Sequence, residues 1–323
     1  MFRLLFLLFS AVQIANAQKT FKKKALLMGV DFEFTVVAED QESANHFLEE
    51  AIKETIRVEN LISSWKSSSQ TSNINRNAGV KPVVVDNELL QLIKRSKRIS
   101  ELTNGFFDIS FASLDKIWYF NKPMEKLPDS SIVKKSVSKI NYKNIVINDK
   151  RSTVFLTQKG MKIGFGSIGK GYVAEKVKKL LQELGVTAGL VNASGDLTTW
   201  GNHPITKNWK INIADPNGLI EKAGKFDLHN NSVVTSGNYA NYIEFNNKRY
   251  SHIINPKTGW PVSGLKSVTI FCKNTELADA LATSVFVLGK EKGLELVNQL
   301  NGIECLLISD DNKLHPSKNL NLK

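Results

Sequence analysis

Apolar and polar positions alternate from Lys24 to Val37 with a break at Met28-Gly29, which predicts a strand pair. The glycine there marks a bulge or a close backbone approach. From Asp40 to Leu61 the period changes: Phe47, Leu48, Ala51, Ile52, Ile56, Val58 and Leu61 recur at helical spacing, with Glu and Lys on the other face. A long amphipathic helix follows from that pattern. Residues 62–75 lose the period, because Ser63, Ser64, Ser67, Ser68, Ser69 and Ser72 surround a single Trp65, and they read as a loop. A second amphipathic helix covers Asn87 to Thr103 and is stopped by a left-handed cap at Asn104-Gly105. Phe120 to Asn144, lysine-rich and holding Pro123 and Pro128, is an excursion with a short helix.

Ile145 to Leu156 predicts a hairpin, Lys162 to Phe165 a short strand, Val173 to Leu184 a helix, and Gly189 to Asp196 a strand ending in a tight polar turn. Strands are expected at Trp209 to Ala214, closing on Asp215-Pro216-Asn217-Gly218, and at Ser232 to Tyr239. Tyr242 to Phe245 and Arg249 to Ile254 form another pair, turning at Asn246-Asn247. Val268 to Cys272, an apolar helix from Glu276 to Leu288, a helix from Lys290 to Gln299 and a strand from Glu304 to Ser309 complete the chain. Strands and helices mix without a regular βα repeat. The fold class is therefore α+β, one large domain over residues 18–323 with mainly antiparallel sheets and flanking helices.

Composition changes the picture at the N-terminus. Met1-Phe2-Arg3, an apolar run from Leu4 to Phe9 and Ala15-Asn16-Ala17 have the form of a secretory signal peptide over residues 1–17, so the protein is expected to be exported, periplasmic or extracytoplasmic. No cysteine near the cleavage position suggests a lipid anchor, and contact with a membrane is peripheral at most. Cys272 and Cys305 are the two cysteines; they either pair or stay as buried thiols. The formal charge of +12 is scattered and no recognition motif accompanies it, so nucleic acid is not an expected partner. The charge suits the approach of an anionic ligand or membrane surface.

Candidate chemistry lies in a few stretches. His252 sits before the turn Asn255-Pro256-Lys257-Thr258-Gly259, where an imidazole serves either as a general base or as a hydrogen-bonded structural residue. Asp279 and Thr283, four apart on one helix, share a face and offer two hard oxygens to a cation; alternatively the Asp favours the helix dipole and the Thr bonds back to the backbone. Trp65 is either tucked under its loop or a platform for a flat ring. Asp108, between apolar neighbours, either shapes a loop through backbone amides or holds a ligand group. Gly164 to Tyr172 runs into a helix, and its amides with Lys170 form either a phosphate cradle or a flexible turn. Its spacing is neither the P-loop nor the dinucleotide fingerprint.

In order along the chain, the blocks Met28-Gly29, the serine-rich loop ending at Asn75, Gly105-Phe106-Phe107-Asp108, Gly166-Ser167-Ile168-Gly169-Lys170-Gly171-Tyr172, Asn192-Ala193-Ser194-Gly195-Asp196, Thr235-Ser236-Gly237 and His252 to Gly259 resemble the ApbE family of flavin transferases. The resemblance implies an ApbE/T-fold-like architecture and Mg²⁺-dependent cleavage of FAD, its substrate, with transfer of FMN to a Thr or Ser hydroxyl of a partner and release of AMP. It implies that Trp65 stacks on the isoalloxazine and that Met28, Gly105, Phe107, Asp108, Asn192 and Gly195 line the nucleotide. Lys170 and Thr258 fall at its pyrophosphate or adenosine contacts, and Glu175 where the family often has an Asp. Asp279 and Thr283 match its side-chain metal ligands, Ser167 its carbonyl ligand and His252 its proposed base. Gly164 replaces an acid frequent in the family, and Ser194 replaces a glycine. The partner so implied is an acceptor protein of a membrane electron-transport complex, such as a flavin-carrying subunit of a quinone-reducing or Rnf-type complex. An FAD pyrophosphatase and a non-catalytic secreted flavin-binding protein are the competing readings.

Overall fold

The computed structural model describes residues 18–120, 124, 126–211, 226–238, 242–245 and 248–321. The chain begins with β1 (Lys19–Leu27), β2 (Val30–Ala38), α1 (Gln41–Ile62), α2 (Gln70–Arg76), β3 (Val83–Val84) and α3 (Asn87–Leu102). A 3-10 turn at Ile109–Ser113 leads to α4 (Ser130–Val137), β4 (Ile145–Asn148), β5 (Thr153–Leu156), α5 (Gly169–Glu183), β6 (Gly189–Ala193) and β7 (Asp196–Trp200). Then come β8 (Trp209–Ile211), β9 (Phe226–Leu228), β10 (Ser232–Gly237), β11 (Tyr242–Phe245), β12 (Lys248–Ser251), β13 (Leu265–Cys272), α6 (Thr275–Leu288), α7 (Lys290–Asn298), β14 (Glu304–Ser309) and β15 (Leu314–Pro316).

Eight of these strands form one sheet in the order β1-β2-β6-β7-β10-β13-β14-β15, and every neighbouring pair in it is antiparallel. Side chains alternate across it. Val191, Trp200 and Val234 face the helix layer, whereas Leu190, Leu197 and Val233 face a second core with Trp209 and Leu228 from the β8–β9 pair. Helices α1, α5, α6 and α7 pack on the first face. α6 is apolar nearly all round, burying Ala278, Ala280, Leu281, Ala282, Val285 and Phe286, as a helix enclosed between a sheet and another helix must be.

The β1–β2 turn is a two-residue hairpin with Met28 and Gly29 both at positive φ (53° and 77°), not a bulge. Asp40 caps α1 by accepting from the Ser43 amide at 2.8 Å, so the helix starts one residue later than its pattern suggests. Asn104 and Gly105 stop α3 in the left-handed region as expected, at φ 51° and 78°. Two expectations need correction. The serine-rich loop contains α2, whose Ser69 side chain accepts from the Ser72 amide and thereby supplies the cap that its weak apolar pattern could not reveal. Residues 162–165 do not join a sheet: Ile163 exchanges both main-chain bonds with the Asn75 side chain (2.8 and 2.9 Å), and Lys162 exchanges both with the Ser113 hydroxyl.

β11 and β12 pair as expected, with the turn at Asn246-Asn247 outside the described residues. The expected leader, the end of the strand after Ile211, the Asp215-Pro216-Asn217-Gly218 turn and Tyr239 also lie outside them. Cys272 and Cys305 are free and buried, on paired strands β13 and β14, and burial pushes their thiols up to about 11 and about 12. Among the described residues no helix is long and apolar enough to cross a membrane.

Candidate active site

A cavity of 310 Å³ opens where the serine-rich loop, the 104–112 segment, the glycine-rich stretch before α5, the strand end at His252 and the middle of α6 converge. Trp65, Phe107, Ser167, His252 and Thr283, scattered over more than two hundred positions of sequence, all line it. Trp65 is 84% exposed, so it is not tucked beneath its loop. Its ring stands open to solvent at the cavity wall, where a flat ring could lie against it. His252 is exposed at the cavity wall and meets Phe120 edge-on at 6.4 Å.

Asp108 lines the same cavity and also a neighbouring one of 370 Å³ formed with Gly105, Tyr142 and Lys257. Its carboxylate accepts from the Ser110 amide (2.8 Å), the Ser110 hydroxyl (2.6 Å) and the Tyr142 amide (2.8 Å). Burial raises its pKa against those bonds, and their number identifies the residue as the clamp that shapes this wall. Gly105, at φ +78°, lets the Lys257 stem and Tyr142 ring pack against it, each 3.6 Å from where a Cβ would stand.

One helical turn behind Thr283, Asp279 is buried and accepts from the Gly171 amide at 3.0 Å. Beside it lies Asp196, also buried, which the strand alternation of β7 aims at the helices together with Trp200. Lys170 donates to Asp196 Oδ1 at 2.9 Å, while Asp196 Oδ2 has no hydrogen-bond donor. Burial and the neighbouring carboxylate hold the Asp279 pKa well above the usual range, and burial raises that of Asp196. Two enclosed acids beside one lysine lower their charge by keeping a proton or by holding a cation. A divalent cation at this place would displace that proton. The donors around it are all oxygen, with Thr283 Oγ1 also 3.4 Å from Ser236 Oγ, and no trio of His, Cys, Asp and Glu gathers among the described residues. That donor chemistry fits Mg²⁺ and not a soft metal.

Several expected site residues are placed elsewhere. Lys170 is engaged with Asp196 and does not line the cavity. Gly171 does not present its amide to a ligand: the amide caps Asp279, and a Cβ there would stand 2.7 Å from that of Asp279 and overlap the Thr275 carbonyl. Gly171→Ala is therefore expected to force α5 and α6 apart, lowering stability by about 1–3 kcal/mol in urea unfolding. Asn192 shares the Leu190 face of β6, away from the helices, and accepts from the Gly195 amide at 2.9 Å. Gly195 (φ +98°) and Ser194 (φ 52°) form the two-residue turn that orients Asp196, so their role is to position β7. Glu175 accepts from both the amide and the hydroxyl of Thr275 (3.1 and 3.0 Å), tying α5 to the start of α6. Met28 packs near Gly169 in the main core, and Thr258 accepts from the Trp260 amide at 3.3 Å within its own turn. Asp196 is not singled out by the sequence alone. Its signal was an acid opening an apolar strand in the same parity as buried Trp200.

The ApbE family model matches residues 28–307, and the chain belongs to that family; by that membership it is a transferase. A FAD:protein FMN transferase of Klebsiella pneumoniae is 30% identical over 292 residues, 90% of each chain. One from Treponema pallidum is 32% identical over 285 residues, 84% of this chain and 79% of that relative. Among solved structures, the ApbE protein of Thermotoga maritima superposes with a TM-score of 0.83 at 26% identity, over 93% of this chain and 97% of its own. The apo flavinyl transferase ApbE of Pseudomonas stutzeri does so with 0.82 at 25% identity, over 93% and 95%.

Proposed function

We infer that the protein is an exported FAD:protein FMN transferase, moving FMN from FAD to a Thr or Ser hydroxyl of an acceptor protein in an Mg²⁺-dependent reaction. The observation that carries this is the meeting of Trp65, Ser167, His252 and Thr283 on one cavity, with the acid pair directly behind. The curated relatives named above as FAD:protein FMN transferases support the same reading.

Trp65, standing free at the mouth, offers its face to the isoalloxazine. The neighbouring 370 Å³ pocket, which shares Asp108 and Pro256 with the main cavity, offers room for the remainder of an elongated dinucleotide. Asp279 and Thr283, with the Ser167 carbonyl, would hold Mg²⁺, and Asp196 with Lys170 would set the charge and position of Asp279. Bound there, the ion would polarise the phosphoryl group and offset the charge that develops on its oxygens. His252 accepts the hydroxyl proton. The acceptor oxygen bonds to the FMN phosphorus as the bond to the AMP phosphate oxygen breaks, and AMP carries away the electron pair.

The test is one incubation of the protein with FAD, Mg²⁺ and a recombinant flavin-carrying subunit of a quinone-reducing or Rnf-type complex in its flavin-free form. An acceptor mass increased by FMN less one water, with one AMP per transfer, is expected. AMP without acceptor modification would mean pyrophosphatase activity, and neither product would mean binding alone. Trp65→Ala is expected to weaken FAD binding about tenfold, close to the energy of an aromatic stack, with less effect on the transfer step. Fluorescence titration of FAD checks it, and an unchanged Kd removes the stacking role.

A further inference from the structure

His252 borders two cavities. Besides the 310 Å³ space already described, it lines an adjoining pocket of 240 Å³, and Phe111, Ala112 and Ile254 also belong to the lining of both. The far wall of the smaller pocket is formed by Leu114, Trp118 and Phe120. Under the flavin-transfer reading, on which this inference rests, the dinucleotide takes the 310 Å³ cavity and the 370 Å³ pocket that adjoins it through Asp108 and Pro256. Phosphoryl transfer places the attacking and leaving oxygens roughly in line on opposite sides of phosphorus. The attacking oxygen must also come within reach of His252. Among the described residues, the other cavity that this imidazole borders is the 240 Å³ pocket. The geometry points to this pocket as the docking groove for the acceptor protein, which would enter as an extended segment with an apolar side chain two residues from the target hydroxyl.

The spacing fits such a segment. Ring centroids of His252 and Phe120 are 6.4 Å apart, and those of Phe120 and Trp118 again 6.4 Å. Side chains on one face of an extended chain repeat every two residues, about 6.6–6.8 Å. A hydroxyl over His252 therefore brings the next side chain on that face over Phe120, in the pocket that Leu114 also lines. The wall is rigid: Trp118 donates from Nε1 to the Gly259 carbonyl at 2.9 Å, meets Trp260 edge-on at 5.2 Å and stacks on Tyr250 at 6.3 Å. Phe120 and Leu114 stay half-buried above this base. Among the described lining residues the one acid, Asp115, is paired with Lys139 at 2.6 Å, and the others apart from His252 are apolar. An apolar side chain on an extended backbone is what its chemistry selects.

The test uses synthetic nonapeptides with a central threonine and Leu, Ala or Asp at each position two residues from it, with the recombinant acceptor subunit run alongside. FMN transfer is read by mass, and FAD affinity by titration. Wild type is expected to prefer Leu over Asp by about tenfold or more in kcat/KM on at least one side. Leu114→Asp should erase that preference and raise KM for the acceptor subunit about tenfold, leaving the Kd for FAD unchanged. Phe120→Ala, checked for folding by circular dichroism, provides the same reading if Leu114→Asp does not fold. A preference that survives both substitutions overturns the groove. So does transfer to the subunit with none to any peptide, or a rise in the Kd for FAD, which would make the pocket part of the dinucleotide site. Transfer to neither subunit nor peptide sinks the flavin-transfer reading, and the groove with it.

Discussion

Asp279→Ala is expected to lower Mg²⁺-dependent FMN transfer by about 10³-fold or more with the fold retained, because a metal at a phosphoryl centre supplies several kcal/mol of charge stabilisation. The fold survives because the substitution has opposing effects. It orphans the Gly171 amide, at about 1–3 kcal/mol, and it removes an acid enclosed beside Asp196. Asp279→Asn keeps an acceptor for that amide and removes only the charge, so it separates the two effects. Both variants should lose Mg²⁺ binding in calorimetry while their circular dichroism matches wild type. Transfer within threefold of wild type by either one removes the metal assignment.

His252→Ala is expected to leave FAD binding within about twofold and to slow transfer by about 10²–10⁴, the usual contribution of a positioned base. Exposure of the ring and its place between two cavities favour a proton-transfer role over a packing one. Single-turnover transfer from pre-bound FAD isolates the chemical step. A wild-type rate there returns His252 to a structural role. A large loss of FAD affinity would instead make it part of the nucleotide wall.

Local signals carried much of the fold. The β1–β2 hairpin, the long helix behind Asp40, the stop at Asn104-Gly105 and the apolar α6 follow from periodicity and turn chemistry that act within a few residues. α2 and the 162–165 segment were not legible that way. The first depends on a serine cap, and the second on side chains of Asn75 and Ser113 that arrive from far along the chain. The same division runs through the site. Trp65, His252, Asp279 and Thr283 stand out by residue type and Ser167 by resemblance alone, whereas the bonds from Lys170 to Asp196 and from the Gly171 amide to Asp279 join segments far apart in sequence.

By itself, the sequence determined most of the order of elements, the antiparallel α+β character and which side chains have carboxylate, hydroxyl or imidazole groups to offer. Which of them face one another was decided only by tertiary structure. Strand parity turns Asp196 toward α6 and Asn192 away from it, although they are four residues apart, and the absent Cβ of Gly171 brings α5 close enough to cap Asp279. Both outcomes depend on contacts between segments distant along the chain, and a local pattern carries no record of which partner will be opposite.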